Sequence, residues 1–295
     1  MKQRYLFICN PNAGGRHAKA MAALDKALQS YEIDYQQVLT ERQGHATEIA
    51  NQHAADYDII VVVGGDGTLN EVINAKSVHN KVIGIIPAGS GNDFARSCNI
   101  PVHDVAQAMK IVMNNQIKAI DLGIINDRYF INGVGLGLPS TANEIANKLR
   151  FIPGGIKYYF AILAALFMHQ QLEITIDAAG VVCKNPTLLL NIANGRYQGS
   201  GLQVAPDAKL DSGTLKVMHC EHVPLHQRLL GMYHFLCGAF EKMPHTTLIT
   251  SPKVHITFDG NLVLQSDGEI LSYDKEVTME LLPQSLKVIG AWNTH

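Results

Sequence analysis

The stretch 58-DIIVVVGGDGTLNEVINA-75 decides the fold. Residues 58–63 form a continuous apolar, β-branched run, as expected of a strand buried on both faces of a parallel sheet. The run ends in Gly64-Gly65, turns through Asp66-Gly67, and continues into residues 68–75 with helical spacing. Ligands of open α/β sheets bind at the carboxyl ends of the strands, which is where this turn lies. Glycines let backbone N–H groups approach an anion, and a following helix aims its positive end at the same place. Thr68 reads as the N-cap of that helix. Asp66 is out of keeping with a plain phosphate cradle. A carboxylate beside phosphates repels them unless it holds a cation or a proton, so Asp66 suggests a metal–phosphate site; the competing reading is a tight turn with Asp66 as a local cap. No GxxxxGK[ST] occurs, and Asn70 stands where a dinucleotide fingerprint needs its third glycine.

Two further loops of the same kind flank this one. Residues 5–9 (YLFIC) read as a strand followed by Asn10-Pro11-Asn12-Ala13-Gly14-Gly15, with Arg16 beyond. Residues 82–86 read as a strand followed by Pro87-Ala88-Gly89-Ser90-Gly91-Asn92-Asp93-Phe94, with Arg96 beyond. Thr40 ends another strand, 35–39, and helical spacing recurs at 18–28, 45–54 and 105–113. Strand–helix alternation at this pitch implies right-handed crossovers and a parallel sheet covered by helices. The four strand ends then face one crevice, which favours a nucleotide site over unrelated turns.

From about residue 118 the texture changes to short apolar strands parted by glycine and proline: 124–131 as a hairpin on Asn126-Asp127, then 172–177, 187–194, 214–220, 253–258, 262–265 and 277–282. One helix is expected near 143–169 and another near 225–240. Residues 285–292 read as a last strand. This predicts a mainly antiparallel second domain.

Composition sets wide bounds. The chain has 295 residues, 47% hydrophobic, and a formal net charge of −2. Two domains are the natural expectation, and no global charge draws the chain to nucleic acid. The five cysteines are scattered without a CxxC pair, which suits a reduced, cytoplasmic protein rather than a disulfide framework. No signal peptide is evident, and the apolar run 158–168 is shorter than the roughly 20 residues that span a bilayer. His219, His222, His226 and His234 match no zinc spacing. Gly133-Val134-Gly135-Leu136-Gly137 leads into Pro139 and reads as a close-approach segment rather than a nucleotide fingerprint.

NPNAGG at 10–15, GGDGTLNEV at 64–72 and PAGSGNDFAR at 87–96 together resemble the diacylglycerol kinase catalytic-domain superfamily, the soluble bacterial lipid kinases above all. TERQGHA at 40–46, VAPDAKLDSGTLKV at 204–217 and Ser266-Asp267-Gly268-Glu269 are also similar to it, so the resemblance runs through nearly the whole chain. It implies an N-terminal Rossmann-like α/β domain of the phosphofructokinase and NAD-kinase type, residues 1–122, and a C-terminal β-sandwich lipid-binding domain, residues 123–284. The active site is expected in the cleft between them, and the strand at 285–295 is expected to return to the first domain. By the same resemblance, Asn10, Pro11, Asn12, Ala13, Gly14, Thr40, Gly64, Gly65, Asp66, Gly67, Thr68, Leu69, Asn70 and Ser90 hold ATP. Asp66 and Asp211 belong to the catalytic Mg²⁺ network. Asp267 and Glu269 flank the lipid hydroxyl, with Glu269 favoured as base and Asp267 second; by itself Asp267-Gly268 reads as a hairpin turn. Lys209, Ser212 and Thr214 stand where the family holds a structural Mg²⁺. Ser212 replaces its usual aspartate there and is a poorer ligand for a hard cation.

The expected activity is an ATP- and Mg²⁺-dependent lipid kinase acting on diacylglycerol. The alternatives are a kinase of phosphatidylglycerol or a sphingoid base, an NAD kinase, and a nucleotide-binding regulator without catalysis. The lipid implies a partner at a membrane surface. Residues 158–168 with Phe151 read as a core helix or as a lipid-facing one, with Lys148, Arg150 and Lys157 placed to meet anionic headgroups. Peripheral membrane association and a homodimer are both compatible with this reading; nucleic acid is not expected.

Overall fold

The computed structural model describes residues 3–13, 17–102, 104–149, 154–168, 171–236, 242–243 and 245–292, without the side chains of residues 17, 154–159, 235 and 236. The expectations for Gly14, Gly15, Arg16, Arg150, Phe151 and the Lys157 side chain lie outside the described residues. The chain divides into two units, Met1–Leu122 with Pro283–His295, and Gly123–Leu282.

In the first unit, β1 (Arg4–Cys9), α1 (His17–Leu28), β2 (Asp34–Leu39), α2 (His45–His53), β3 (Ile59–Gly64), α3 (Asp66–Ile73), β4 (Val82–Pro87), α4 (Asp93–Ser97) and α5 (Val105–Asn114) follow in turn, and β5 (Ile117–Ile125) leads out. The sheet order is β2-β1-β3-β4, all parallel. Every residue of β3 is buried, as its apolar run requires, while the polar β2 (DYQQVL) forms an edge whose side chains are mostly exposed or half-buried. Parallel pairing at these registers brings Cys9, Leu39, Gly64 and Pro87 to one end of the sheet.

The second unit contains β6 (Arg128–Phe130), β7 (Gly133–Gly137), α6 (Leu138–Lys148), α7 (Gly154–Met168), β8 (Ile174–Ala178), β9 (Val181–Cys183), β10 (Thr187–Ala193), β11 (Tyr197–Gln198), β12 (Leu202–Gln203), β13 (Leu215–Glu221), α8 (Leu225–Leu236), β14 (Thr246–Ser251), β15 (Lys253–Ser266) and β16 (Glu269–Ile289). Antiparallel pairing gives the order β14-β13-β10-β7-β15-β16, with β8 on β15. Side chains alternate across β10 and β13. Leu190, Ile192 and Val217 enter one core with Phe130, Leu136 and Ile256. Leu189, Met218 and Cys220 enter a second core with Leu138, Ala142 and Leu166 of α6 and α7. Two apolar layers therefore cover opposite faces of the same strands.

The helix foreseen near 225–240 is present as α8, described over Leu225–Leu236, with residues 237–240 outside the described residues. Three other element expectations change. The helix foreseen near 143–169 is two helices, α6 and α7. Residues 253–258 and 262–265 belong to one strand, β15, whose register shifts between Thr257 and Asn261. Residues 277–282 and 285–292 are not separate strands: β16 runs through both. Pro283 lacks an N–H and Gln284 has φ of 49°, which suggests a break. The strand survives because the buried Asp121 carboxylate accepts the Gln284 N–H at 2.9 Å. Beyond that point Lys287 and Val288 pair in parallel with Val82 and Ile83 of β4, within the first unit.

Burial pushes the Cys9 thiol up to about 12 and the Cys220 thiol up to about 11, and complete burial raises Cys98 as well. Cys183 is raised too but is only half-buried. The thiolate is the reactive form. Of these four cysteines, Cys183 should therefore be the one a maleimide labels in native protein at pH 8, while Cys9, Cys98 and Cys220 label only after unfolding; peptide mapping by mass spectrometry checks this, and Cys237 lies outside the described residues.

Candidate active site

Asn10, Thr40, Gly65 and Ala88 each lie one residue past the ends of β1, β2, β3 and β4, so the glycine-rich loops share one rim. Side chains and backbone tie the loops together. Asn10 donates its N–H to Val63 O at 2.9 Å and its Nδ2 to Thr68 Oγ1 at 2.9 Å. Its Oδ1 accepts from Asn12 N at 2.9 Å, shaping the 10–13 turn. Thr40, buried, donates its N–H to Cys9 O. Gly65 and Gly89 meet backbone to backbone: a Cβ on Gly89 would lie 2.4 Å from the Gly65 Cα. No other residue permits that approach.

The helix after the opening turn begins at Asp66, not at Thr68, and Gly65 is its N-cap. Thr68 faces back to Asn10 instead of capping. The first helical bond closes from Leu69 N to Gly65 O, so the N–H groups of Asp66, Gly67 and Thr68 precede any intrahelical acceptor. Such donors, a helix dipole and an exposed glycine (here Gly67) are the features that anion sites use. Leu69 and Asn70 point inward, at 2% and 4% exposure, so a ligand at this turn meets α3's first-turn backbone rather than those two side chains.

Asp66 has a long-range role that the motif does not show. Its Oδ2 accepts the N–H of Asp93 and its Oδ1 that of Phe94, both at 3.0 Å. Those are the first N–H groups of α4. The carboxylate thus caps α4 from the neighbouring loop, a staple between the β3 and β4 turns, while its remaining lone pairs stay available to a cation. Asn92, in the left-handed region at φ 54°, closes the rest of the β4 loop through Gly89. Ser90 is exposed on that loop.

In the second unit Asp267 and Gly268 form the turn between β15 and β16, with φ of 48° and 88°. The Asp267 carboxylate does more than turn the chain. Its Oδ2 accepts Ile131 N at 2.7 Å, and its Oδ1 accepts Asn132 N and Gly133 N at 2.9 and 3.0 Å. Glu269, two residues on, is half-exposed and pairs through Oε2 with Arg128. Asn143 Nδ2 donates to Gly268 O and Gln265 Oε1 accepts Gly268 N, which fixes the turn from α6 and β15. Arg128, Asn143 and Gln265 carry no motif; their sequence separation from the turn or their bare polarity hid them.

The Lys209–Thr214 turn does not fit a cation. Ser212 N donates to Lys209 O at 3.2 Å and Ser212 Oγ donates to Thr214 O at 3.1 Å, so the serine engages the two carbonyls that would be ligands. Asp211 is exposed beside it. Among the described residues no three His, Cys, Asp or Glu side chains gather as a metal cluster. Mg²⁺ is commonly held by one or two carboxylates with water and phosphate oxygens, so the lack of such a cluster does not bear on Asp66. The histidines have separate partners: buried His219 meets Thr187 Oγ1 at 2.9 Å, its protonation disfavoured by burial, and His222 pairs with Arg228 at the start of α8.

Residues 4–125 match the diacylglycerol kinase catalytic domain, and residues 132–290 match the YegS C-terminal NAD kinase beta sandwich-like domain. The chain belongs to the diacylglycerol kinase family. A diacylglycerol kinase of Staphylococcus aureus (strain MRSA252) is 31% identical over 280 residues, 91% of this chain and 87% of that protein. One of Bacillus subtilis (strain 168) is 30% identical over 278 residues, 90% of each chain. The fold is shared with a solved protein of Bacillus anthracis str. Sterne at a TM-score of 0.82 and 24% identity, covering 98% of this chain and 95% of that one. The family makes the chain a lipid kinase, with the α/β and β-sandwich architecture expected. Among the described residues no helix is long and apolar enough to cross a membrane.

Proposed function

We propose that this kinase transfers the terminal phosphoryl group of ATP to the free hydroxyl of diacylglycerol, yielding phosphatidic acid. The relatives named above support the acceptor's identity. The observation that carries a lipid acceptor is a cavity of about 90 Å³ within the second unit, lined by apolar side chains of α6, α7, α8, β10 and β13. Asn191, Gln198 and Gln265 supply amides to its wall, and Gln265 also holds the Asp267-Gly268 turn. Part of an acyl tail in that cavity and a hydroxyl near the turn suit one amphipathic molecule.

The phosphates rest on the first-turn N–H groups of α3 and on Gly65, with Asn10, Thr40 and Ser90 around the rim. Mg²⁺ brought by ATP would supply charge neutralisation on the phosphates, and Asp66 would be the carboxylate that helps to hold it. Glu269 takes the proton of the acceptor hydroxyl. Its Oε2 is engaged by Arg128 and its Oε1 has no partner among the described residues. Asp267 holds the 131–133 backbone and thereby the turn that presents Glu269.

Transfer of radiolabel from ATP across a panel of diacylglycerol, phosphatidylglycerol, a sphingoid base and NAD tests the reading. Diacylglycerol should be labelled at least tenfold faster than the other three. Preferential labelling of another acceptor would replace the substrate, and binding of ATP without labelling of any would point to the regulator.

A further inference from the structure

We propose that the outward faces of α7 and α8 form one membrane-docking surface that seats the second unit on an anionic bilayer. On α7, Phe160, Leu163 and Phe167 are spaced to share a face and are 58%, 50% and 58% exposed, with Met168 at 68%. On α8, Leu225, Leu229, Leu230 and Tyr233 are 43%, 45%, 51% and 63% exposed. The opposite face of α7 is also apolar: Ala161, Ala165 and Leu166 are buried in the helix-side core. A helix apolar on all sides belongs in a large core or against lipid, and α7 has a core on one side only; α8 packs Met232 against the same core and is mixed elsewhere, with Gln227 and Arg228 on the cavity side. The helices touch, with Arg228 Nη1 donating to Leu166 O at 2.9 Å, and both inner faces line the same cavity. Their outer strips therefore lie on the same outer side and add into one patch, larger than scattered surface hydrophobics explain.

Charge and continuity select the occupant. Neither Gly154–Met168 nor Leu225–Leu236 contains an Asp or Glu, and the first carries Lys157; Arg228 of the second is engaged inward, on Val223 O, Leu166 O and His222. Exposed Lys148 ends α6, which packs on α7. An acid-free apolar face with basic residues complements anionic headgroups over an acyl layer. A second copy of this chain would oppose the same acid-free face. The cavity lies one helix thickness behind the patch, lined by Ile162 and Leu166 of α7 and Gly231 and Met232 of α8. A docked monolayer thus adjoins the space assigned to the acceptor's tail. That last point rests on the proposed function; the docking surface does not.

The test uses the full chain with vesicles of phosphatidylcholine, alone or mixed with phosphatidylglycerol. Wild-type protein should co-sediment with the mixed vesicles, and the four-site variant L163E/F167E/L230E/Y233E should lose about tenfold or more in partitioning. The variant should lose transfer to vesicle-embedded diacylglycerol to a similar extent while keeping transfer to a water-soluble short-chain diacylglycerol within about twofold, because none of the four residues lines the cavity. Phe167→Trp gives a readout that survives if the four-site variant misfolds: its emission, read against Trp292, should shift to the blue on mixed vesicles and be quenched by brominated acyl chains. Absence of wild-type binding, binding indifferent to the four substitutions, or an unshifted emission from the Phe167→Trp protein overturns the proposal. So does a wild-type dimer in sedimentation velocity that the variant dissociates without changing vesicle binding. Vesicle binding with no transfer to any acceptor would instead sink the kinase reading alone.

Discussion

Asp66→Ala is expected to abolish phosphoryl transfer and to lower the melting temperature clearly, whereas Asp66→Asn abolishes transfer with a smaller loss of stability. The carboxylate carries two functions that these substitutions separate. Both oxygens cap the first turn of α4 through Asp93 N and Phe94 N. Hydrogen bonds to a charged acceptor contribute about 1.5–3 kcal/mol each. Alanine removes both and orphans two N–H groups of residues that are 7% and 0% exposed. Asparagine keeps one acceptor oxygen and turns an amide toward the second N–H, so it restores part of the cap. Neither side chain has the negative charge that orients a metal-bound phosphate, and loss of one preorganised charge at such a site costs roughly 10²–10³ in kcat. Thermal unfolding and single-turnover transfer on both variants supply the comparison. If Asp66→Asn transfers phosphate at more than about a tenth of the wild-type rate, Asp66 is a staple only, and the metal-organising role fails.

The parallel half of this chain is legible because its signals are local. A buried strand such as β3 is an unbroken β-branched run, and a backbone-to-backbone approach such as Gly65 on Gly89 demands glycine. The antiparallel half is legible as a texture of short strands, but less so in its joints. Pro283 and Gln284 look like the end of a strand, yet β16 runs on, with the Asp121 carboxylate, far away in sequence, holding the Gln284 N–H and β5 pairing alongside. Side-chain roles are the least legible feature for the same reason. Asp66 and Asp267 stand inside glycine-rich turns that advertise a site, yet their partners lie 27 and more than 130 residues away. The motif locates such a carboxylate without showing how much of it the fold already uses. Patterning likewise marks α7 as apolar, but apolarity alone does not say that one face meets a cavity and the other meets solvent.

That distinction bears most on the choice of base. Glu269→Gln is expected to lower kcat by about 10²–10⁴, the range for removal of a general base, with little change in melting temperature. Its Arg128 partner is half-exposed, and such pairs contribute about 0–1 kcal/mol to stability. Asp267→Asn is expected to behave in the opposite way. Its two oxygens serve three backbone donors, of Ile131, Asn132 and Gly133, all buried. A carboxylate so engaged is stabilised in its charged form and has few lone pairs to spare for a substrate proton. Replacing one oxygen by an amide loses a charge-assisted bond and sets a donor against a donor, so the 131–133 segment shifts and the hairpin turn loosens. Stability should fall by about 2 kcal/mol or more, and the activity that remains should show a raised KM with a smaller loss in kcat. Arg128→Gln supplies the control: it should lower the rate modestly by freeing the Glu269 side chain, without reproducing either pattern. The assignment reverses if Asp267→Asn, shown to be folded, loses kcat by more than Glu269→Gln does. In that case the three backbone donors orient a base that acts directly, and Glu269 serves to balance Arg128.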